Sequence, residues 1–296
     1  MKFPSVIRAA YQFSGGLVCA GAVLLIASGA QAQNLFESSS GDGNILEYTP
    51  GGAQSTFASG LSSPHGLAFN SAGNLFEADT ASGNIYEFTP GGARTNFASG
   101  LVNPNFLAFN GAGNLFVSDY STGDIYEYTT GGVQSIFASG LISPQGLAFN
   151  SAGNLFVADV GSGNLYEYTP GGARTNFASG LSGEEALAFN STGNLFVANS
   201  GGDNIIEITP GGVQTNFATG LDNPFGLAFG STGDLFVADN FSGDITEITP
   251  GGAQSTFASG ADFSVALAFQ PVPEPSTLGL LALGLIALFS VKRHRT

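Results

Sequence analysis

The stretch that decides the fold spans residues 144–168 and reads PQGLAFNSAGNLFVADVGSGNLYEY. Edited copies of it recur every forty residues along the chain. The tripeptide Asn-Leu-Phe, or Asp-Leu-Phe in the last copy, begins at residues 34, 74, 114, 154, 194 and 234. The six units tile residues 34–273 without an insertion. A fixed period of this length is typical of a solenoid, a propeller or an array of small units.

Each unit is predicted to form four short β-strands. In one unit these strands span residues 107–110, 115–119, 124–129 and 135–138. Apolar and aromatic residues fill the strands, while Gly, Asn, Pro and Ser fill the gaps between them. No part of the unit has a helical apolar period longer than one turn, which excludes the helical repeat classes.

Six four-stranded units predict an all-β fold, a six-bladed β-propeller with antiparallel strands in every blade. The body begins at the second strand of a blade (Leu35) and ends just after a first strand (Leu267–Phe269). The last strand is therefore expected to complete the first blade and close the ring, which removes the exposed edges. Each unit also carries three phenylalanines, such as Phe69, Phe76 and Phe97, which are expected to pack between blades rather than to line a ligand groove.

The first 32 residues have the pattern of a secretory signal peptide. Lys2 and Arg8 precede an apolar run at 17–30, and Ala30-Gln31-Ala32 supplies a cleavage site. A retained membrane anchor is the alternative, although the apolar run is short for a span. The single cysteine, Cys19, lies within this segment, so the mature domain has neither disulfides nor thiolate-bound metal.

Residues 33–271 form the predicted propeller domain, and this part of the chain is strongly acidic. It contains two basic residues, Arg94 and Arg174, against 21 acidic ones, a net charge of −19. Such a surface repels phosphate backbones, so nucleic acid is excluded as a partner. The charge either attracts cations or keeps an exported protein soluble, and the sequence leaves both open.

The unit at 144–168 resembles the NHL repeat, and the resemblance extends through the whole body. A later copy of the repeat departs from this pattern at Glu184, which replaces a proline, and at Asn199, which replaces an aspartate. The related gluconolactonase and regucalcin-like family also builds six blades of this kind. The chain has no tryptophan, unlike the other propeller class with a forty-residue repeat.

One position in the repeat varies far more than the others, namely the residue two before each Leu-Ala-Phe. In a propeller this residue is expected at the mouth of the central channel, where a site needs broken symmetry. The polar members are candidate ligand-binding residues, and the alternative is that they only line a wet channel. In chain order the position holds His65, Asn105, Gln145, Glu185, Phe225 and Val265.

Two further rows of polar residues recur in the repeat. One follows the second strand and is expected either to cap turns or to bind calcium weakly; it comprises Ser39, Asp79, Asp119, Asp159, Asn199 and Asp239. The other lies on the third strand and is expected to be solvated or bonded to a neighbouring blade; it comprises Glu47, Glu87, Glu127, Glu167, Glu207 and Glu247.

The resemblance to gluconolactonase-like proteins implies a divalent cation held at the channel mouth by Glu, Asn and Asp. The Glu-Gly-Pro motif of that family is missing here, because Ala186 follows Glu185. No metal ligand is therefore assigned by the resemblance. If Ca²⁺ or another divalent cation binds, the candidates are Glu185, Asn105 and Asp159, with His65 as a base in a metal-dependent lactonase-like hydrolase.

The near-identity of the units favours a different function. Residues 89–101 and 169–181 match at every position, whereas an enzyme usually needs one specialised blade. A non-enzymatic binding or scaffold module is therefore the leading hypothesis, and no catalytic residue is assigned. A structural matrix protein stabilised by calcium is a third possibility.

The tail at 272–296 resembles the PEP-CTERM sorting signal. Val272-Pro273-Glu274-Pro275 precedes an apolar run at 278–291 and a basic end at 292–295. This resemblance implies a short transmembrane helix that anchors the chain transiently in the inner membrane of a Gram-negative bacterium. It also implies processing by an exosortase and delivery to the envelope, the cell surface or an exopolysaccharide matrix, where polysaccharide or envelope proteins are the expected partners. An ordinary C-terminal anchor is the alternative.

Overall fold

The computed structural model describes residues 33–272, which form six antiparallel four-stranded sheets. Blades 2 to 6 each take four consecutive strands, and the first of the four is innermost. Blade 1 is composite, with the order β24-β1-β2-β3. The strands, in chain order, are β1 (Leu35–Ser39), β2 (Asn44–Tyr48), β3 (Gln54–Ala58), β4 (Pro64–Phe69), β5 (Leu75–Asp79), β6 (Asn84–Phe88), β7 (Arg94–Ser99), β8 (Pro104–Phe109), β9 (Leu115–Asp119), β10 (Asp124–Tyr128), β11 (Gln134–Ala138), β12 (Pro144–Phe149), β13 (Leu155–Asp159), β14 (Asn164–Tyr168), β15 (Arg174–Ser179), β16 (Glu184–Phe189), β17 (Leu195–Asn199), β18 (Asn204–Ile208), β19 (Gln214–Thr219), β20 (Pro224–Phe229), β21 (Leu235–Asp239), β22 (Asp244–Ile248), β23 (Gln254–Ser259) and β24 (Ser264–Phe269).

The all-β, six-bladed propeller predicted from the repeat is confirmed. The only helix within 33–272 is a single 3₁₀ turn, Ser200–Gly202. The innermost strands begin earlier than predicted, since β8 starts at Pro104 rather than at residue 107. An innermost strand is an edge of its sheet, so proline, which lacks an N–H, is tolerated at its start.

The closure of the ring is as the sequence predicts. Strand β1 pairs antiparallel with β24, and the register places Leu35 opposite Phe269 and Glu37 opposite Leu267. The backbone N–H of Gln270 also donates to the carbonyl of Asn34 at 3.0 Å. The two ends of the described chain therefore lie side by side on blade 1.

Burial falls from the inside of each blade to its outside. Strand β13 is buried at all five positions because blades pack against both of its faces. The outermost strand β11 is exposed at its first three positions. Buried strands of a propeller thus carry continuous apolar runs rather than an alternating pattern.

Edge-to-face phenylalanine contacts join every pair of neighbouring blades. The ring of Phe76 lies 5.0 Å from Phe97 in its own blade and 5.0 Å from Phe109 in the next. The same inter-blade contact recurs six times around the ring, with centroid distances of 5.0–5.2 Å. The prediction that these rings pack between blades is confirmed.

Removal of one such ring should be costly. Phe156 is 3% exposed and contacts Phe177 and Phe189, so Phe156→Ala should lower the free energy of unfolding by about 3–5 kcal/mol. Phe241 is 69% exposed, and Phe241→Ala should change it by less than about 0.5 kcal/mol. Urea denaturation of both variants checks this, and equal effects would contradict the packing role.

Candidate functional site

The two rims of the ring carry different connections. The side that we call the loop rim carries the loops before the innermost strands and the loops after the second strands. These two kinds of loop are in contact, since the N–H of Thr80 donates to the carbonyl of Ser63 at 3.0 Å. The hairpin rim is the opposite side, with the connections between first and second and between third and fourth strands. The variable position is the second residue of each innermost strand, at its loop-rim end.

The variable position lies within a β-bulge of the innermost strand. In blade 2 the pairing with β5 shifts between Pro64 and Leu67, and in blade 4 the pairing with β13 shifts between Pro144 and Leu147. A bulge redirects the side chains beside it. The bulge therefore lets each blade present a different side chain at the same place without altering the strands beyond it.

The structure brings His65 and Asn105 together. The Nδ1 of His65 and the Oδ1 of Asn105 lie 3.1 Å apart, across the junction between blades 2 and 3. Burial lowers the pKa of His65 below its usual 6.5, so the ring is neutral at pH 7 and Nδ1–H donates to the amide oxygen. Phe225 contacts the same imidazole edge-on, with centroids 6.3 Å apart.

A phenylalanine that the sequence interpretation overlooked lies beside this group. Phe106 stacks on Phe225 with the ring centroids 6.2 Å apart and the planes 19° apart. Because blades 3 and 6 stand opposite each other in a ring of six, this contact crosses the central axis. The signal was present, since the other five units have Gly or Ala where blade 3 has Phe106.

Glu185 and Gln145 are both 7% exposed on neighbouring innermost strands. The hydroxyl of Ser200 donates to Oε1 of Glu185 at 3.2 Å. The Oε1 of Gln145 is buried and accepts no hydrogen bond from residues 33–272. A ligand that donates a hydrogen bond would satisfy this amide oxygen.

The aspartates after the second strands hold the loops of the loop rim. Asp79 accepts from the backbone N–H of Ser62 and Ser63, both at 2.9 Å. Asp159 accepts from the N–H of Ile142 at 2.6 Å and from the hydroxyl of Ser162 at 2.7 Å. Burial raises the pKa of Asp159, and these two bonds oppose that shift.

The three candidate metal ligands lie on three different blades. Asn105 is on β8, Asp159 on β13 and Glu185 on β16. Within residues 33–272 no group of three or more His, Cys, Asp and Glu side chains has the spacing of a metal site. A cation at the mouth would thus need to draw ligands together from separate strands.

The glutamates of the third strands bond within their own blade, so the prediction of solvated or inter-blade contacts is wrong for five of the six. Asn74 at the start of β5 donates through Nδ2 to Glu87 at 2.7 Å. The same bond joins Asn34 to Glu47, Asn114 to Glu127, Asn154 to Glu167 and Asn194 to Glu207. Blade 6 has Asp234 in place of the asparagine and lacks this bond.

Two buried carboxyls behind the channel wall also escaped the sequence interpretation. Glu37 and Glu77 are fully buried on β1 and β5, where the other four blades have valine. Tyr48 and Ser264 donate hydroxyl hydrogen bonds to Glu37, whose pKa is nevertheless raised by burial to about 7. Burial, with repulsion from Asp79, raises the pKa of Glu77 well above its usual 4.5.

Glu77→Val should stabilise the protein, and the gain should grow with pH. In the unfolded chain this carboxyl ionises near pH 4.5, whereas in the folded protein it stays neutral to a much higher pH. Its contribution to stability is thus lost as pH rises above about 4.5, by up to ~1.4 kcal/mol per pH unit. Urea denaturation at pH 4, 5.5 and 7 measures the trend.

The matched control for this substitution is Val157→Glu, the reverse change at the same position of blade 4. It should destabilise the protein more at pH 7 than at pH 4. A gain for Glu77→Val that is equal at all three pH values would show that the carboxyl titrates in the folded protein as it does in the unfolded chain, which would contradict the raised pKa.

The protein is thus a six-bladed β-propeller in which Phe106 and Phe225 meet across the central axis. The residues at the loop-rim ends of its innermost strands differ from blade to blade. Among solved structures, the chain is similar to one chain of a nidogen/laminin complex, with a TM-score of 0.74 and 18% identity over 82% of this chain and 99% of the other. A protein provisionally described as a gluconolactonase matches with a TM-score of 0.62 and 18% identity over 80% and 87% of the two chains. Virginiamycin B lyase from Staphylococcus aureus matches with a TM-score of 0.59 and 16% identity over 70% and 77%. At these identities the likeness shows the fold alone.

The C-terminal segment contains a recognisable sorting motif. Residues 271–294 match the PEP-CTERM protein-sorting motif, a signal of exported proteins that exosortase recognises. No curated protein sequence matches the chain. The sorting tail beyond residue 272 and the predicted signal peptide at 1–32 lie outside the described residues, and between those limits no helix is long and apolar enough to cross a membrane.

Proposed function

We propose that this protein is an exported, non-enzymatic propeller that binds a component of the cell envelope or of the extracellular matrix through its loop rim. In this proposal residues 1–32 are the signal peptide, 33–271 the binding domain and 272–296 the sorting signal. Exosortase processes the tail after transient anchoring in the inner membrane. An exopolysaccharide or an envelope protein is the partner at the cell surface.

Exposed apolar side chains on the loop rim carry this proposal. Phe241 is 69%, Val102 62%, Ile142 59% and Phe263 50% exposed, and all four lie in loops of that rim. The other units mostly have Ser, Gly, Ala, Asp or Asn at these positions. Exposed apolar groups collected on one face are typical of an interaction surface.

The position of the chain ends supports the same face. Gln33 donates through Nε2 to the carbonyl of Gln270 at 2.9 Å, on the hairpin rim of blade 1. Both predicted targeting segments are therefore joined to the hairpin rim. The loop rim is the face opposite to Gln33 and Gln270.

The closed centre argues for binding rather than catalysis. The rings of Phe106 and Phe225 occupy the axis, and the imidazole of His65 is held neutral by burial and bonded to Asn105. The aspartates of the rim are engaged by the loop backbone. Of the candidate ligand-binding residues, His65, Asn105, Gln145 and Glu185 lie on innermost strands, and Asp159 ends the second strand of blade 4.

Sedimentation with the purified exopolysaccharide and with the envelope fraction of the producing bacterium tests the binding function. The quadruple variant Val102→Ser, Ile142→Ser, Phe241→Ala and Phe263→Ser should weaken retention by at least about tenfold, since these residues supply the apolar contact area. Ile136→Thr and Val213→Ala form the control, because both side chains are similarly exposed away from the loop rim. Equal retention of the variant and the control would refute the proposal.

A metal-dependent lactonase-like hydrolase is the second candidate function. The fold resemblance to the protein provisionally described as a gluconolactonase favours it, together with the buried carboxylate of Glu185 at the mouth. In this candidate Glu185, Asn105 and Asp159 hold Ca²⁺ or another divalent cation, which activates water. His65 would be the base.

Elemental analysis and lactone hydrolysis with and without chelator separate the two candidates. The binding module should contain no stoichiometric metal and should not turn over lactones. Glu185→Gln should leave loop-rim binding unchanged, since its shape is conserved. Stoichiometric metal, with hydrolysis lost in Glu185→Gln and in the presence of chelator, would establish the enzyme. Metal that raises the melting temperature without turnover would instead indicate a structural calcium site.

A further inference from the structure

Cavities recur between neighbouring blades on the hairpin rim, and they differ greatly in volume. The cavity between blades 3 and 4 measures about 60 Å³. Those between blades 5 and 6 and between blades 6 and 1 measure about 440 Å³ and 220 Å³. The two larger cavities flank the same hairpin, residues 230–234 of blade 6.

The hairpin of blade 6 lacks a side chain that the corresponding hairpins carry. In blades 2 to 5 the hairpin begins with an asparagine, and Asn150, for example, accepts from the N–H of Ala152 and of Asn154 at 3.0 and 2.9 Å. Blade 6 has Gly230 instead, and Gly230 lines both large cavities. The backbone turn persists, since the N–H of Gly230 donates to the carbonyl of Asp234 at 2.9 Å. The missing side chain thus leaves space beside Phe236 and Phe269, in the cavity between blades 6 and 1, without loss of the turn.

The phenylalanines that pack between blades 5, 6 and 1 also form one wall of each cavity. Phe196, Phe217 and Phe229 line the cavity between blades 5 and 6. Phe236, Phe257 and Phe269 line the one between blades 6 and 1. A pocket with aromatic walls and a few polar groups is typical of a small-molecule site. The C–H face of a sugar ring packs on such rings while its hydroxyls bond to the polar groups.

The smaller of the two cavities is also acidic. Asp234 and Glu247 both line it, and Asp234 stands where five other units have the asparagine that bonds to the glutamate. Within residues 33–272 no donor bonds to the carboxylate of Glu247, while Thr232 donates to Asp234 at 2.6 Å. The basic side chains of the domain lie elsewhere, since Arg94 and Arg174 cover the rings of Tyr86 and Tyr166. Neither arginine of the domain therefore lies beside this pair, which leaves it available to a cationic ligand.

From these features we propose that the hairpin 230–234 and the two cavities beside it bind an oligosaccharide that carries protonated amino sugars. The sugar rings pack against the phenylalanines on both sides of the hairpin. One ammonium group lies near Asp234 and Glu247, where a cation and an aromatic wall coincide. This site is on the rim opposite to the proposed loop-rim surface and does not depend on it.

Titration calorimetry with a β-1,4-linked glucosamine tetramer tests the site. The full chain is used at about pH 6, where the amines are protonated, in a detergent without a sugar head group. The tetramer should bind at least tenfold more tightly than its N-acetylated form or than cellotetraose. Its affinity should fall as salt is raised, because the contact is partly ionic.

Two variants restore the residues of the other units and should therefore fold. Gly230→Asn adds a side chain beside Phe236 and Phe269 in the cavity between blades 6 and 1. Asp234→Asn restores the hydrogen bond to Glu247 in the same cavity, so each variant should weaken binding of the tetramer at least tenfold. Asn114→Asp is the matched control, because it makes the same acidic pair beside the 60 Å³ cavity. It should leave affinity and stoichiometry unchanged.

Several outcomes would overturn the proposal. The site is wrong if Gly230→Asn and Asp234→Asn bind the glucosamine tetramer as the wild type does, or if the wild type does not bind it. Equal affinity for the glucosamine tetramer, the N-acetylated tetramer and cellotetraose would reject the ionic contact. Equal affinity for tetralysine would reject sugar recognition. Binding of Ca²⁺ alone, lost in Asp234→Asn and without sugar binding, would make the pair a metal site.

Discussion

The pairing of β1 with β24 is the constraint on which the rest of the structure depends. Five blades complete themselves from consecutive residues, but blade 1 must join strands more than 220 residues apart. Without that pairing, β1 and β24 would each expose an unpaired edge, and two blade faces would lose their partners. Closure also completes the sixth inter-blade contact, that of Phe236 with Phe269. Each such aromatic contact contributes about 0.5–1.5 kcal/mol beyond burial, so the closed ring gains from all six together.

The parts of the fold that depend on sequence patterns present in all six units were predictable. Strand order, ring closure and the packing of Phe69, Phe76 and Phe97 follow from patterns that recur in every unit. The aspartates after the second strands were predicted to cap their own turns, and Asp119 does so by accepting from Ser121 and Thr122. The bonds of Asp79 to the preceding loop, at Ser62 and Ser63, were not predicted, because they join parts of the chain that only the fold brings together. The Glu87 row was harder. Its partner, Asn74, lies 13 residues away in the same blade, and only the register of β5 with β6 places the two together.

Features carried by single substitutions were not predicted. Phe106 matters because it meets Phe225, which is three blades away across the axis. Gly230 matters because of the space it leaves between two blades. Glu37 and Glu77 are buried because blades pack against both faces of β1 and β5, as against the second strands of the other blades. Each of these effects needs the relative placement of residues from different units, which a repeat pattern does not contain. In this molecule the symmetric positions build the ring, and the departures from symmetry give each face its own chemistry.

The bond between Ser264 and Glu37 has a consequence for how near-identical units find their proper places. Five other innermost strands resemble β24 closely, and each could offer β1 an alternative mate. At the position of Ser264 those strands carry Pro64, Pro104, Pro144, Glu184 and Pro224, none of which can donate a hydroxyl hydrogen bond. A mispaired β1 would bury the Glu37 carboxyl without this donor, a loss of about 1–3 kcal/mol. The bond between Ser264 and Glu37 thus favours the pairing of β1 with β24 over its pairing with any other innermost strand. This preference disfavours a ring of five blades and a domain-swapped dimer.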